Sequence, residues 1–360
     1  MKYLGLIFLL SFGLCADVVL HKDGRKEEGE LKWNQSKLQF NGKELNLNNV
    51  FKLRFDRPLV ANAGEYIIFK NGTMLRAQST KLLSNENSLL VDYRGEEKKI
   101  KLELISAISF QGAHYPMSEA AGFYTLNNFH YPGEATYFTK SSIGQSKPSK
   151  KRHKKSLLNS LVIQKRAFSS SDYVFKTTSR EIIYGKILEQ KDDYLLIETP
   201  IGAVAYPHNE LCQIAANKNN FAISEKDIRD IKYTAFINQC RALTFNKSYT
   251  QAAINESGFA ADHFISLNSR TEFTLSPKQG CKAISFSMTT DPGTSNGHAV
   301  LIISQNGKEL FKQEISSGQE LSNIYLLVSQ GDLKVLLDYG KGGSAGDYII
   351  LLNPQFIGAK

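Results

Sequence analysis

Two aspartates and two tyrosines bracket a glycine-rich stretch near the end of the 360-residue chain, in "DYGKGGSAGDYIILLNP", residues 338–354. Asp338 and Asp347 offer carboxylates that accept hydrogen bonds from sugar hydroxyls. Tyr339 and Tyr348 offer rings that stack on a pyranose face. An apolar surface with a few convergent polar groups is the usual chemistry of a concave small-molecule site. Aspartates so placed also tie off turns by accepting backbone N–H groups. His263 stands just before an apolar run, and His298 follows "DPGTSNG", which begins at Asp291. Both are candidate ligand contacts of a type that also packs or hydrogen-bonds internally.

Other chemistries fit less well. Gly340 to Ala345 matches a loose G-x-G-x-x-A, but a dinucleotide fingerprint must open a helix whose N-terminus holds the pyrophosphate. Here a β-branched run, "YIILLNP", follows. No G-x-x-x-x-G-K-[ST] or H-E-x-x-H is present. Two aspartates with backbone carbonyls do not make up the six or so oxygens of a calcium site. No nucleotide, metal or cofactor is expected, and no catalytic residue is assigned.

The start of the chain, "MKYLGLIFLLSFGLCADVV", has Lys2, an apolar run from Leu4 to Leu14 and small residues after it. That is the pattern of a secretory signal peptide, 1–16, cleaved after Cys15 or Ala16. A lipid anchor on Cys15 would call for a small residue just before it, and Leu14 stands there. The apolar run is too short to span a bilayer, and no other stretch qualifies as a transmembrane segment. The expected location is therefore periplasmic, cell-surface or extracellular. Export permits disulfides. Of Cys212, Cys240 and Cys281, either one bridge forms, Cys240–Cys281, or all three are buried thiols. The net charge is +9, with much of the excess in "KPSKKRHKKS", residues 147–156. A basic exported chain tends to meet anionic surfaces.

The elements that must position the candidate residues are strands. The chain has 21 Phe, 16 Tyr and only 9 Pro, a composition that favours sheet. Its first two thirds repeat. "LHKDGRKEEGEL", "IFKNGTMLRAQS", "YTLNNFHYPGEA" and "FKTTSREIIYGKI" each place a polar turn between two short strands. Asp23-Gly24, Asn71-Gly72 and Asn127-Asn128 are the turns, and such pairs readily take positive φ. Each unit closes on an apolar strand, ending near Phe55, Phe110 and Ala215. Units of this size bury their apolar side by curling into small SH3-like barrels or by pairing with a neighbour. The expected units are 17–60, 61–115, a degenerate unit 116–170 with a mobile basic loop 145–160, and 171–220. The opening from Val18 to Leu31 resembles that of Sm-like barrels. That family implies RNA binding, which export argues against, so the units read as spacers or docking modules.

Residues 217–230 read as a linker or short helix. Beyond them, 231–358 carry strands with turns every 8–12 residues, the pattern of an antiparallel sandwich. The segments "GFAADHFISLNSRTEFTLS", "CKAISFSMTTDP", "AVLIISQNGKELFK" and "LKVLLDYGKGGSAGDYIILLNPQF" follow one another in that order. In this order they resemble the NPCBM domain, a carbohydrate-binding module found beside glycoside hydrolases. Gly258, His263, Asp291, Gly307, Lys308, Asp338 and Asp347 fall at the family's characteristic places. The resemblance implies a galactose-binding-like jelly roll with a sugar ligand. It departs at Tyr348, where the family commonly has Trp, and at Asn306, where Asp is usual.

The expectation is an all-β chain: repeated SH3-like barrel or meander units, then a C-terminal jelly-roll β-sandwich. The function expected is exported, non-catalytic carbohydrate binding through His263, Asp291, His298, Asp338, Tyr339, Asp347 and Tyr348. Two alternatives stand beside it. One is an envelope structural or assembly protein that binds other proteins through the repeats. The other is a binder of anionic surfaces, such as an anionic polysaccharide, through the basic loop.

Overall fold

The computed structural model describes residues 16–358 except 84–85, 117–119, 127–128, 140, 147–149, 168–170, 235–240, 251, 295–296 and 341–346. Among them the chain is all strand and turn, with single 3₁₀ turns as the only helical pieces.

One order of elements occurs four times between Asp17 and Ala216. Two hairpin strands lead into a meander, a 3₁₀ turn and a closing strand. In the first unit these are Asp17–His21 and Lys26–Gly29, then Leu31–Asn34, Lys37–Phe40 and Lys43–Glu44, then Leu47–Asn49, then Val50–Arg54. The second unit runs from Glu65–Phe69 to Ile105–Ser109, the third from Gly122–Thr125 to Leu158–Val162, and the fourth from Tyr173–Thr177 to Leu211–Ala216. Gly24 and Gly72 sit in the first hairpin turns at φ 89° and 94°, where a side chain would be strained.

The units share one antiparallel sheet, in the spatial order three, two, four, one. Closing strands pair with closing strands: Ala107 lies opposite Val162, and Leu53 opposite Ile214. The second strands of units two and four meet at Met74 and Ile182.

This sheet is buried on both faces. Val19, Ile67, Phe69, Phe123, Phe175 and Ile183 point to a core closed by the meanders. Their neighbours Tyr66, Ile68, Tyr124 and Ile182 point the other way, onto Phe259 and Ala260. Leu20 and Phe51 likewise pack on Ala283 and Ile357. Period-two alternation thus feeds two cores, so "EYIIF" shows no polar alternation.

The C-terminal part is a jelly-roll sandwich. One sheet holds Phe264–Asn268, Tyr348–Ile357, Ala283–Thr290 and Glu320–Leu327; the other holds Thr271–Leu275, Leu333–Tyr339, His298–Gln305 and Lys308–Ser316. Leu267, Phe273, Met288, Leu301, Val335 and Ile349 fill the space between them. Asn306 and Gly307, at φ 51° and 77°, make the two-residue hairpin turn that an Asn-Gly pair favours.

Two expectations are corrected. Residues 217–230 are not a linker: Asn220–Ala222 pairs with the last strand and Ile228–Tyr233 pairs with Thr271–Leu275, while the short helix between them is a single 3₁₀ turn at Glu225–Asp227. Their polarity reflects edge positions, where one side faces water. The segment 145–160 is not a loop in its described part. Lys151–Lys154 is a strand, followed by a 3₁₀ turn and the closing strand. Its outward charges face solvent, while His153 turns inward and stacks on Phe123 with centroids 4.7 Å apart. Lys155 is buried, donating to Glu65 Oε1 at 2.7 Å and Thr80 Oγ1 at 3.1 Å. Of the two cysteine alternatives, free thiols hold at both described positions: Cys281, half-buried, donates to Ala283 O, and Cys212 is buried. Cys240, the expected partner of Cys281, lies outside the described residues, as do the signal peptide through Cys15 and the Asn127-Asn128 turn.

Between the array and the sandwich lies the hairpin of Asn255–Glu256 and Phe259–Ala260. Glu256 is buried there with Lys176 Nζ at 3.1 Å and Lys52 Nζ at 3.8 Å. Ser287 Oγ and Asn353 Nδ2 donate to its two oxygens at 2.6 and 2.7 Å. Nearby, Asp262 pairs with Arg166 at 3.0 Å and accepts from the Tyr184 hydroxyl. Burial pushes the Glu256 carboxyl up, but Lys176 and Lys52 outweigh it and hold the group below the usual carboxylate range. A carboxyl depressed in the fold stabilises fully above its unfolded pKa of about 4.3 and loses that contribution as pH falls. Glu256→Gln should therefore cost about 3 kcal/mol at neutral pH, because it strands two buried ammonium groups. Thermal melts of both proteins should converge as pH falls well below 4 (roughly the unfolded carboxyl value); an undiminished gap would contradict this assignment.

Candidate functional site

Six of the seven sequence-predicted residues gather at one end of the sandwich. The antiparallel register places them there: Val300 lies opposite Asp338, Ala299 opposite Tyr339, and Asn268 opposite Tyr348. Asp291 follows one strand and His298 opens the next. The glycine loop between Tyr339 and Asp347 is described only at Gly340; residues 341–346 lie outside the described residues.

The residues divide by duty. Asp291 is fully buried and accepts from Tyr249 N at 2.9 Å, from Thr250 N and Gly293 N at 3.4 Å, and from the Thr250 hydroxyl. Asp347 is also buried and accepts from His298 N at 2.8 Å. Burial pushes its carboxyl up, partly offset by that N–H bond. Both aspartates thus brace loops, and neither is presented to solvent.

The groups that do reach the surface form two arginine–tyrosine stacks. Arg270 donates to Asp338 Oδ1 at 2.9 Å, with both side chains more than a third exposed, and its guanidinium lies 4.7 Å from the Tyr339 ring. Asp338 Oδ1 also accepts from Tyr339 N at 2.8 Å, which holds the carboxylate beside the ring. In the second stack, Arg241 lies 5.0 Å from the Tyr348 ring and 5.6 Å from Tyr249, and the two rings are 5.0 Å apart. The His298 ring is 3.5 Å from Glu314 at the same end. Planar donors, a carboxylate and aromatic faces on one rim can hydrogen-bond and stack on a polyhydroxylated ring.

His263 is not part of this rim. It is half-buried between the array and the sandwich, its Nε2 donating to Pro354 O at 2.7 Å, and desolvation pushes its pKa down. It lines an inter-layer cavity of about 330 Å³ with Lys52, Lys176, Glu256 and Asn353. A single conserved-looking motif position gave no way to tell a rim histidine from an interface one.

Arg270, Arg241 and Tyr249 were not foreseen. Arg270 had one signal: "NSRTEF" is a tight turn between strands, and Arg270 takes φ 63° in it. Arg241 and Tyr249 lie in irregular chain, where spacing carries no periodicity.

Gly340 allows the close approach that the rim requires. Gly340 N donates to His298 O at 2.9 Å, and a Cβ at position 340 would lie 2.2 Å from that oxygen and 1.6 Å from His298 Nδ1. Gly340→Ala should destabilise the sandwich by roughly 1–3 kcal/mol through this overlap. The measurement is denaturant unfolding of the variant; a neutral effect would mean that the two strand ends are not so tightly apposed.

No family model matches the chain, and no curated protein matches it. Solved structures similar to it include a CBM51 module from Clostridium perfringens GH95 with methyl-galactose, at 12% identity over 38% of this chain and 99% of that one, TM-score 0.32. The CBM51-2 and INT domains of Clostridium perfringens ZmpB, solved with GlcNAc, match at 11% identity over 51% of this chain and 40% of that one, TM-score 0.34. An exo-β-1,3-galactanase of Phanerochaete chrysosporium with galactose matches at 11% identity, over 78% of this chain and 69% of that one, TM-score 0.22. Likenesses this low carry no argument about the site.

Proposed function

We propose that the chain is an exported, non-catalytic carbohydrate-binding protein whose NPCBM-like sandwich takes the sugar at its Arg270–Asp338–Tyr339 rim. The observation that supports this reading is the half-exposed ion pair laid over an aromatic ring, beside a second arginine–tyrosine stack. A guanidinium–carboxylate pair supplies directional donors and acceptors for vicinal hydroxyls. The tyrosine faces cover the apolar face of the ring. His298 and Tyr348 complete the contact set, whereas Asp291, Asp347 and His263 hold the scaffold. Asp338 serves recognition, held by Arg270 and the Tyr339 N–H. The four preceding units act as SH3-like modules that space the sandwich from whatever surface holds the protein, with a sandwich beginning near Asn220 and a leader over 1–16.

The assembly-protein alternative would use the open edges of the shared sheet. One edge strand, Lys26–Gly29, carries "KEEG", and charged side chains on an edge discourage pairing with another chain. That favours the sugar reading.

Calorimetry with the chain from Asp17 onward, against neutral and acidic oligosaccharides, tests it. One of them should bind, and Arg270→Ala and Tyr348→Ala should each weaken that binding about tenfold, the loss of one good polar or stacking contact. A folded chain that binds none of them overturns the proposal, and new reducing ends released from a bound glycan overturn its non-catalytic part.

A further inference from the structure

The charge of this chain is concentrated in one place. Between Ala120 and Arg166 the sequence has nine Lys and Arg against one acid, Glu134, a balance of +8 in a chain whose total is +9. This is the third unit, which lies at one end of the shared sheet. Two of its cations are withdrawn: Lys155 is paired with Glu65, and Arg166 with Asp262. Of the other seven, Lys150, Lys151, Arg152, Lys154 and Lys165 are exposed, and Lys140 and Lys147 lie outside the described residues.

The same unit exposes large apolar side chains. Phe129 is 65% exposed, Leu157 58%, Leu126 50% and Tyr137 42%. Leu126 N donates to Leu157 O at 3.2 Å, which brings the two leucines together. Tyr131, also exposed, has Lys151 Nζ 5.5 Å from its ring centroid. Tyr137 lies over Gly144, whose opposite neighbour is Arg152. Tyr131 and Tyr137 therefore share a surface with Lys151 and Arg152, and exposed Leu157 follows exposed Lys154 by three residues.

We infer that this surface docks the protein onto an anionic lipid bilayer. The cations suit any polyanion, and the tyrosines would also suit a glycan or a nucleic acid. The aliphatic side chains decide between these. Leu126 and Leu157 offer no hydrogen bond and no ring to stack, so an acidic polysaccharide or a nucleic acid leaves them in water. A bilayer takes them into its headgroup–acyl boundary while phosphate headgroups meet the lysines. This inference does not rest on sugar binding at the rim.

Vesicle co-sedimentation tests it, using the chain from Asp17 onward so that the apolar leader cannot insert. The protein should sediment with phosphatidylglycerol-containing vesicles and not with pure phosphatidylcholine. The triple change Lys150→Glu, Lys151→Glu, Lys154→Glu should weaken binding by roughly tenfold or more at low salt. The triple change Leu126→Ser, Phe129→Ser, Leu157→Ser should spare low-salt attraction but remove the part that survives high salt. All six positions are exposed, and matching thermal melts will show that the variants fold. Failure to sediment with anionic vesicles overturns the inference. So does an apolar variant that binds as the unaltered chain does, or tighter capture by heparin or DNA that ignores those three residues; each would assign the patch to a soluble polyanion.

Discussion

Everything in this molecule depends on a sheet that has no free face. The inner strands of the four-unit sheet send alternate side chains into two different cores, one closed by the meanders and one by the sandwich. Phe175 and Lys176 show the rule at single-residue scale: Phe175 enters the meander core, and Lys176 crosses to the other side and meets Glu256. The two parts of the chain are therefore packed layers with a shared wall. The charged groups at that wall, Glu256 with two lysines and Asp262 with Arg166, set the register of one layer on the other, because an unpaired buried charge is far costlier than a displaced methyl group.

The rim is fixed by the same means at smaller scale. Asp291 and Asp347 look like ligand contacts when read along the chain, but they are spent on loop amides. That service aligns the strand ends that carry Tyr339 and Tyr348. The arrangement separates two jobs that one residue type can do, bracing and recognition, and gives recognition to the carboxylate that keeps solvent contact. Asp338 keeps it because Arg270, from the facing turn, holds it at the surface instead of a ring of backbone N–H groups.

Much of this was legible in the sequence, for physical reasons that can be named. Asn306-Gly307 announced its turn because few residues accept positive φ twice in succession. The strand Thr271–Leu275 alternates in "TEFTL", with Thr271, Phe273 and Leu275 buried and Glu272 and Thr274 half-buried. The basic stretch misled because charge composition reports what faces water and says nothing of backbone pairing: Lys151–Lys154 is a strand whose only inward group is His153. Residues 217–230 misled in the same way, as edge strands. Arg241 and Tyr249 reach the rim through tertiary placement of irregular chain, which no local pattern encodes. The clustering of six candidate residues was foreseen only through motif order, and their division into braces and contacts required knowing which carboxylates are buried.

The units stand in space as three, two, four, one, and this has a consequence in time. On a ribosome, or during passage through a membrane pore, Val50–Arg54 emerges about 160 residues before Leu211–Ala216, the strand it must pair with. Until then the first unit carries an unsatisfied edge, and Leu20 and Phe51 stay unroofed until Ala283 and Ile357 follow. Such distant closures are slow to form and invite mispairing with other nascent chains. The first unit thus completes its sheet edge only once the fourth is made, and covers its second face only once the last strand is made.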